Sequence, residues 1–138
     1  MANKLSLKII TPSRNMFEGE VDMVIMRTLS GDVGILYGHQ PMVTILDYGV
    51  LNIKNDGEEK LAAVLGGFAE INDEGMFILT DAAEWSNEID VLRAKQAKER
   101  AEARLRNIQD NIDIKRAELA LKRALVRLDI GNLSSDKR

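Results

Sequence analysis

The stretch from Glu88 to Leu128 constrains the fold most, because it contains two helical patterns joined by a short polar turn. Apolar side chains recur there at three- and four-residue steps, which is the period of an α-helix. They stand at Ala94, Ala97, Ala101, Leu105 and Ile108 in the first pattern, and at Ile114, Ala117, Leu121, Ala124, Leu125 and Leu128 in the second. The turn, at residues 107–111, predicts that the two helices form an antiparallel hairpin.

Each predicted helix also carries a row of three arginines. The rows are Arg93, Arg100 and Arg104 on the first helix, and Arg116, Arg123 and Arg127 on the second. At about 100° per residue, each row stays within roughly 40° on its own helix. A hairpin brings the two rows near each other, so they face an anionic ligand, an acidic protein surface or water. In the last case they pair with Glu99, Glu102 and Glu118 on a solvated surface, and spacing alone leaves the three alternatives open.

The chain before residue 85 follows a different pattern. Short apolar or alternating segments recur at about ten-residue intervals, which is typical of a β-sandwich or barrel of roughly eight to ten strands. Residues 55–57 (Asn-Asp-Gly) and 72–75 (Asn-Asp-Glu-Gly) have the composition of hairpin turns. The period changes from two to 3.6 near residue 85, so we predict a β-domain at residues 1–84 and a helical domain at residues 85–138.

The two predicted domains differ in charge. The whole chain has a net charge of −3, which argues against general nucleic-acid binding. Residues 1–84 contain six Lys/Arg and thirteen Asp/Glu, whereas residues 85–138 contain thirteen and nine. An acidic domain followed by a basic one indicates that the two have different partners.

Several function classes are excluded by what the sequence lacks. It has no cysteine and one histidine, which excludes disulfides, thiol chemistry and a histidine-rich metal site. His39 has no nucleophile nearby and is interpreted as a turn residue, and Glu18, Glu20 and Asp22 as a solvated strand edge. The glycine-rich residues 33–41 match no phosphate loop, and no apolar run approaches 18 residues. We therefore expect a cytosolic, non-catalytic protein that reaches a membrane only through a partner.

A set of segments, taken together, resembles the epsilon subunit of bacterial F-type ATP synthase. They are Met26–Leu36 followed by Gly38, His39 and Pro41, then Gly66-Gly67-Phe68, Ile89–Ala94 and Lys115–Ala124. The resemblance covers nearly the whole chain, to about Leu128, and is closest to forms from Bacillus-like bacteria.

This resemblance implies a ten-stranded antiparallel β-sandwich followed by a two-helix hairpin. It implies that the sandwich binds the gamma subunit and the membrane c-ring on the cytoplasmic face of the bacterial cell membrane. The hairpin would switch between a compact state and an extended state that inhibits ATP hydrolysis in the head of alpha and beta subunits. In the extended state, Arg104 and Arg116 are the candidates to face acidic segments of the beta subunit.

The resemblance also implies that ATP binds the compact hairpin as a regulatory ligand, with the role of magnesium left open. The motif that marks ATP-binding members, Ile-Asp-x-x-Arg-Ala, is intact from Ile89 to Ala94. Glu84 and Asp90 would then bind the adenine amine, and Ile89 and Ala94 would lie beside the ring. The phosphates would be bound by Arg93, Arg100, Arg123 and Arg127. The alternative is a purely structural rotor and inhibitor subunit that does not sense ATP.

Overall fold

The computed structural model describes residues 3–107 and 111–136, without the side chains of residues 111, 112 and 134–136. The chain divides into two compact units, Met1–Trp85 and Ser86–Arg138. The first unit is built from β-strands and the second from helices. Ile108, predicted to line the first helix, lies outside the described residues.

The described part of the first unit contains ten strands in two sheets. They are β1 (Leu5–Ile10), β2 (Asn15–Val21), β3 (Met23–Thr28), β4 (Gly31–Ile35), β5 (Met42–Ile45), β6 (Tyr48–Asn55), β7 (Glu58–Leu65), β8 (Phe68–Asn72), β9 (Gly75–Leu79) and β10 (Ala83–Trp85). One sheet has the order β2-β1-β9-β8-β5 and the other β10-β7-β6-β3-β4. The predicted β-sandwich is therefore confirmed, with one parallel pair, β1 with β9, among antiparallel neighbours.

The core of the sandwich follows from the alternation of side chains along the strands. Leu5, Leu7 and Ile9 on β1 are buried while Ser6 between them is exposed. Most other strands contribute alternate residues in the same way, because successive side chains of a strand point to opposite faces. Burying each large aliphatic side chain contributes about 1.5–3 kcal/mol, so this core stabilises the unit.

The turn between β6 and β7 is the one its sequence predicts. Asp56 and Gly57 both have positive φ, 54° and 79°, as a two-residue type I′ turn requires. Glycine and aspartate adopt this left-handed region more readily than most residues. The turn fixes the register of β6 and β7, which pairs Asn55 with Glu58.

The same turn is tied to the beginning of the chain by a polar cluster. The ammonium group of Lys4 donates to Asn55 and, over 2.7 Å, to Asp56, and it lies 3.4 Å from Asp22. Asp22 in turn accepts a 2.8 Å hydrogen bond from the backbone N–H of Asp56. That backbone hydrogen bond, helped by Lys4, lowers the pKa of the Asp22 carboxyl. The hydrogen bond from Lys4 to Asp56 is the main cause that raises the pKa of the ammonium group.

We predict that this cluster loses its stabilising effect in acid. Because the pKa of Asp22 is lowered on folding, its contribution is complete above the ordinary carboxyl pKa of about 4 and is lost as the pH falls through the lower folded value. Asp22→Asn should therefore reduce the pH dependence of the urea unfolding midpoint below pH 5. Asp73→Asn, in the exposed turn between β8 and β9, is the matched control. Equal acid sensitivity of Asp22→Asn and the unchanged chain would contradict this prediction.

The second unit begins with a short 3₁₀ turn at Ser86–Glu88, followed by helices α1 (Val91–Arg106) and α2 (Asn111–Asp136). Asp90 caps α1, because its side chain accepts a 3.0 Å hydrogen bond from the backbone N–H of Arg93. The cap satisfies one of the backbone N–H groups that the start of a helix leaves without a partner.

Two contacts show that α1 and α2 are antiparallel. A Cβ atom at Gly131 would lie 3.0 Å from Cγ2 of Val91, so the end of α2 lies beside the start of α1. At the other end of the pair, Arg104 of α1 and Arg116 of α2 line one crevice. The predicted hairpin direction is confirmed.

Small side chains are buried along both helices. Ala94 and Ala101 of α1 and Ala117 and Ala124 of α2 are each at most 3% exposed. Residues of this size allow two helix backbones to approach closely, since the distance between helix axes depends on the side chains at the contact.

The predicted apolar face of α2 was wrong at one position. Leu125 is 40% exposed, whereas Val126 and Ile130 are buried. At about 100° per residue, Val126 lies roughly 200° around the helix from Ala124. The helix is therefore buried on two faces. A prediction that assumes one apolar stripe per helix can identify only one of them.

Candidate functional site

The antiparallel register sets the levels of the arginines along the hairpin. Val91 of α1 lies beside Gly131 of α2, and Arg104 lines the same crevice as Arg116, so each step forward on α1 corresponds to about one step back on α2. Arg93 therefore lies at about the level of Arg127, and Arg100 within about one helical turn of Arg123. The four arginines assigned to phosphate binding thus fall at two neighbouring levels of the same hairpin.

Three of these guanidinium groups are exposed and unpaired. Arg93, Arg100 and Arg123 make no side-chain hydrogen bond or ion pair with other residues that the structure describes. Arg127 is half-buried. In the described parts of the helices, an i, i+4 ion pair joins Lys98 to Glu102 at 3.9 Å. Among the described residues, Glu99, Glu102 and Glu118 do not pair with Arg93, Arg100 or Arg123.

The residues assigned to the adenine lie near the start of α1, apart from Glu84. Ile89 is half-buried, Asp90 is exposed and Ala94 is 3% exposed. One carboxylate oxygen of Asp90 is engaged by the helix cap, so the other oxygen is the one available to a ligand. Glu84 lies on β10 of the first unit, half-buried and opposite Ala63 in the strand register.

Trp85 lies beside Glu84 on β10 and packs within the sandwich. Its ring meets Phe17 edge to face, with centroids 6.0 Å apart. The ammonium group of Lys60 lies 5.4 Å from the centroid of Trp85 and 5.9 Å from that of Phe17, within the range of cation–π attraction. These contacts hold Trp85 at the end of the first unit.

Arg104 and Arg116, assigned to an acidic partner, lie at the turn end of the hairpin. They line an open crevice of about 560 Å³ together with Ala103, Asn107, Asp113 and Ala117. Neither guanidinium group pairs with any residue in the described ranges. The structure therefore brings this second pair of arginines together.

His39, Glu18 and Glu20 take the places that their patterns indicate. The interpretation of Asp22 as part of a solvated strand edge was wrong, because its carboxylate is bound by Lys4 and by the backbone N–H of Asp56. His39 is part of a turn, where its Nδ1 donates a 2.7 Å hydrogen bond to the carbonyl oxygen of Gln40. Glu18 and Glu20 are exposed on β2, at the edge of its sheet. Across residues 3–107 and 111–136, no three potential metal ligands cluster. Within the same ranges, neither helix has the length and apolar character needed to span a bilayer.

The sandwich also carries an exposed apolar surface that sequence reasoning did not locate. Ile45, Phe68, Leu79 and Ile10 stand opposite one another across β5, β8, β9 and β1. The first three are 60%, 42% and 38% exposed, and Val43 beside them is 69% exposed. We call these five residues the apolar row. Contiguous exposed apolar residues of this kind mark interaction surfaces. Val43 and Ile45 are two residues apart on β5 and therefore lie on the same face of the strand. This spacing is the only sign of the apolar surface that the sequence contains.

Comparisons with known proteins cover both units. The family model for the beta-sandwich domain of the ATP synthase delta/epsilon chain matches residues 4–86, and the model for its long alpha-helix domain matches residues 87–131. The chain is 50% identical over 135 residues to the ATP synthase epsilon chain of Symbiobacterium thermophilum, covering 96% of this chain and 97% of that one. It is 48% identical over 126 residues to that of Bacillus pumilus, covering 91% and 95%.

Solved structures agree with these matches. A chain in the mitochondrial ATP synthase of Euglena gracilis, solved as an assembly with OSCP, F1 and c-ring, superposes with a TM-score of 0.82 and 27% identity. The match covers 95% of this chain and 82% of that one. Since two family models and close relatives together span both units, the chain belongs to the delta/epsilon chain family of ATP synthase subunits.

Proposed function

We propose that this chain is a rotor subunit whose helical hairpin senses ATP and controls ATP hydrolysis. As an epsilon chain it is a non-catalytic accessory subunit of the central stalk. Its sandwich contacts the gamma subunit and the c-ring, and its hairpin contacts alpha and beta subunits when it extends. The subunit is then peripheral to the membrane, on its cytoplasmic face.

One observation carries the ATP-sensing proposal: the four assigned arginines lie within about two helical turns of one another on an antiparallel hairpin, and three of them have no side-chain partner among the described residues. Guanidinium groups bind phosphate oxygens with two parallel hydrogen bonds, and these charge-assisted bonds are roughly twice as strong as neutral ones. A triphosphate placed between the helices reaches arginines from both of them. Such a ligand crosslinks α1 to α2 without a phosphate loop.

Adenine recognition is proposed for the start of α1. The free carboxylate oxygen of Asp90 and the carboxylate of Glu84 can each accept a hydrogen bond from the exocyclic amine of adenine. Ile89 supplies apolar surface beside the ring. Because Ile89 and Asp90 precede the phosphate-binding arginines along the hairpin, the proposal requires the compact state.

ATP then acts on the switch by mass action. A ligand that binds the compact state alone stabilises it by RT ln(1 + [L]/Kd), and a ligand with equal affinity for both states has no effect. High ATP therefore favours the compact hairpin, and low ATP releases the helices to extend and inhibit. In the extended state, Arg104 and Arg116 face acidic segments of the beta subunit.

Calorimetric titration of the full chain with ATP tests the sensing proposal, once with magnesium and once with EDTA. Saturable heat that is absent with GTP is expected, because the assigned carboxylates select the adenine amine. Absence of heat up to millimolar ATP would leave the alternative, a structural rotor and inhibitor subunit. Truncation after Asn87 in the assembled ATPase separates these functions further, since a structural inhibitor loses inhibition without ever responding to ATP.

The proposed rotor contact is based on the apolar row of the sandwich. Four of its members are exposed and Ile10 is half-buried. Burying them would stabilise a complex by about 25 cal/mol per Å² of apolar surface. The exposed Leu36 and Tyr37, which follow β4, form a separate loop that we assign to the c-ring. The two surfaces give the sandwich separate contacts for its two rotor partners.

We predict that Ile45→Asp weakens binding to the gamma subunit by about tenfold or more, because a charge placed in the centre of an apolar contact loses its hydration. Folding should be unchanged, since Ile45 is 60% exposed. Leu29→Asp, in the turn between β3 and β4 of the other sheet, introduces the same charge at an equally exposed site and is the control. Surface plasmon resonance with immobilised gamma measures both, and equal affinities would reject the assignment.

A further inference from the structure

The crevice at the turn end of the hairpin has the composition of an anion site. Arg104 comes from α1 and Arg116 from α2, so its two cationic groups belong to different helices. Asn107, the C-cap residue of α1, adds a side-chain amide, and among the described lining residues the acidic one is Asp113. The crevice is open to solvent and, at about 560 Å³, has room for a hydrated oxyanion.

Among the described residues, the charges that line this crevice are unbalanced. Asp113 pairs with neither arginine, and no other residue of the described ranges does so. The C-terminus of α1 and the N-terminus of α2 meet at this end, so their helix dipoles oppose each other and supply little net field. The two guanidinium groups therefore repel each other across the hairpin unless an anion lies between them.

We propose that Arg104 and Arg116 form a binding site for a free multivalent oxyanion of the phosphate class. Each planar guanidinium donates two parallel hydrogen bonds to phosphate oxygens, a geometry that lysine cannot reproduce. An oxyanion between the helices replaces repulsion with attraction on both sides. It clamps the turn end of the compact hairpin.

This site adjoins the arginines assigned to ATP and shares no residue with them. Arg104 lies one helical turn beyond Arg100, a rise of about 6 Å, and Arg116 lies about 10 Å before Arg123 along its helix. Each arginine row stays on one side of its helix, so the oxyanion site continues the same cationic groove. It binds in the absence of ATP, and its existence does not depend on the ATP proposal.

The test uses the full chain with inorganic pyrophosphate as the probe and sodium chloride at matched ionic strength as the reference. Two-dimensional NMR of the arginine Nε–Hε groups should show saturable shifts at Arg104 and Arg116. The thermal unfolding midpoint of the helices, followed by circular dichroism, should rise with pyrophosphate more than with chloride. Arg104→Gln combined with Arg116→Gln should abolish the rise in the midpoint in a background that also carries Arg93→Gln and Arg127→Gln, because the arginines assigned to ATP can bind pyrophosphate as well. Arg106→Gln in that same background should retain the rise.

Arg104→Lys combined with Arg116→Lys keeps the charge and should bind about tenfold more weakly, because the bidentate geometry is lost. This variant also serves if the glutamine pair does not fold. If the arginine resonances shift equally with chloride and pyrophosphate, or shift similarly at every arginine, the anion associates nonspecifically as a counterion. Either result would overturn the proposal. So would a response that survives in the glutamine pair, or saturable binding of a hexaglutamate peptide without any binding of pyrophosphate.

Discussion

Replacing Arg93 and Arg127 together by glutamine should weaken ATP binding to the full chain by about a hundredfold. A hydrogen bond to a charged group contributes about 1.5–3 kcal/mol, and each tenfold change in affinity corresponds to about 1.4 kcal/mol. The two arginines lie at one level of the hairpin on opposite helices, so a phosphate between them loses a partner on each side. Each single substitution should cost about tenfold, with some coupling between neighbours on one ligand.

Arg106→Gln is the matched control for these variants. Arg106 is an exposed arginine in the last turn of α1, at roughly 200° from Arg104 around the helix, and it belongs to neither row. It removes the same charge from the same unit, so general electrostatic attraction of ATP would be weakened equally. Calorimetry should show unchanged affinity for Arg106→Gln. Equal losses in the control and the double variant would reject specific phosphate binding.

The arginine rows show which part of the candidate site can be predicted from the sequence and which part requires the structure. The spacing i, i+7, i+11 fixes which side of a helix each row occupies, because helix geometry is local. The level of one row against the other depends on the antiparallel register, which the structure sets through Val91 and Gly131 at one end and the crevice at the other. Only with that register does Arg93 come to the level of Arg127.

In the sandwich, too, local features can be predicted from the sequence, whereas features that depend on distant strands cannot. The turn at Asp56 and Gly57 is predictable, since its residues tolerate positive φ and its two strands are adjacent in sequence. The apolar row is not, because it depends on the order of strands that lie far apart in the chain. Ile10 joins it through the parallel pairing of β1 with β9, which places it opposite Leu79.

Which faces of α2 are buried depends even more on contacts with residues that are distant in the sequence. A single apolar stripe that includes Leu125 is the pattern expected of a helix that packs against one neighbour. The burial of Val126 and Ile130 on another side reflects the tertiary surroundings, which outweigh the period of the pattern. A helix buried on two faces needs small residues on the side where close approach matters, and Ala117 and Ala124 provide them.

Ala124→Leu should therefore disable the compact hairpin while leaving its arginines in place. Ala124 is 0% exposed, and inserting three additional carbon atoms into a closely packed contact costs about 1–3 kcal/mol. A two-helix hairpin of this size has little stability to lose, so such a cost shifts most molecules out of the compact state. ATP binding should fall by about tenfold or more, because ATP needs the compact state, and the reconstituted ATPase should stay inhibited at high ATP.

The control for this variant is Ala103→Leu, at an exposed position of α1. Alanine and leucine both favour helices, so the helix content of either variant should change little in circular dichroism. Hydrogen exchange should then distinguish a loss of helix packing from a loss of helix. Backbone amides of α1 and α2 should exchange faster in Ala124→Leu and at an unchanged rate in Ala103→Leu. Retained ATP affinity in Ala124→Leu would show that ATP binds without close approach of the helices. The arginines of a single helix would then have to account for the phosphate contacts, and the compact hairpin could not be the ATP-bound state.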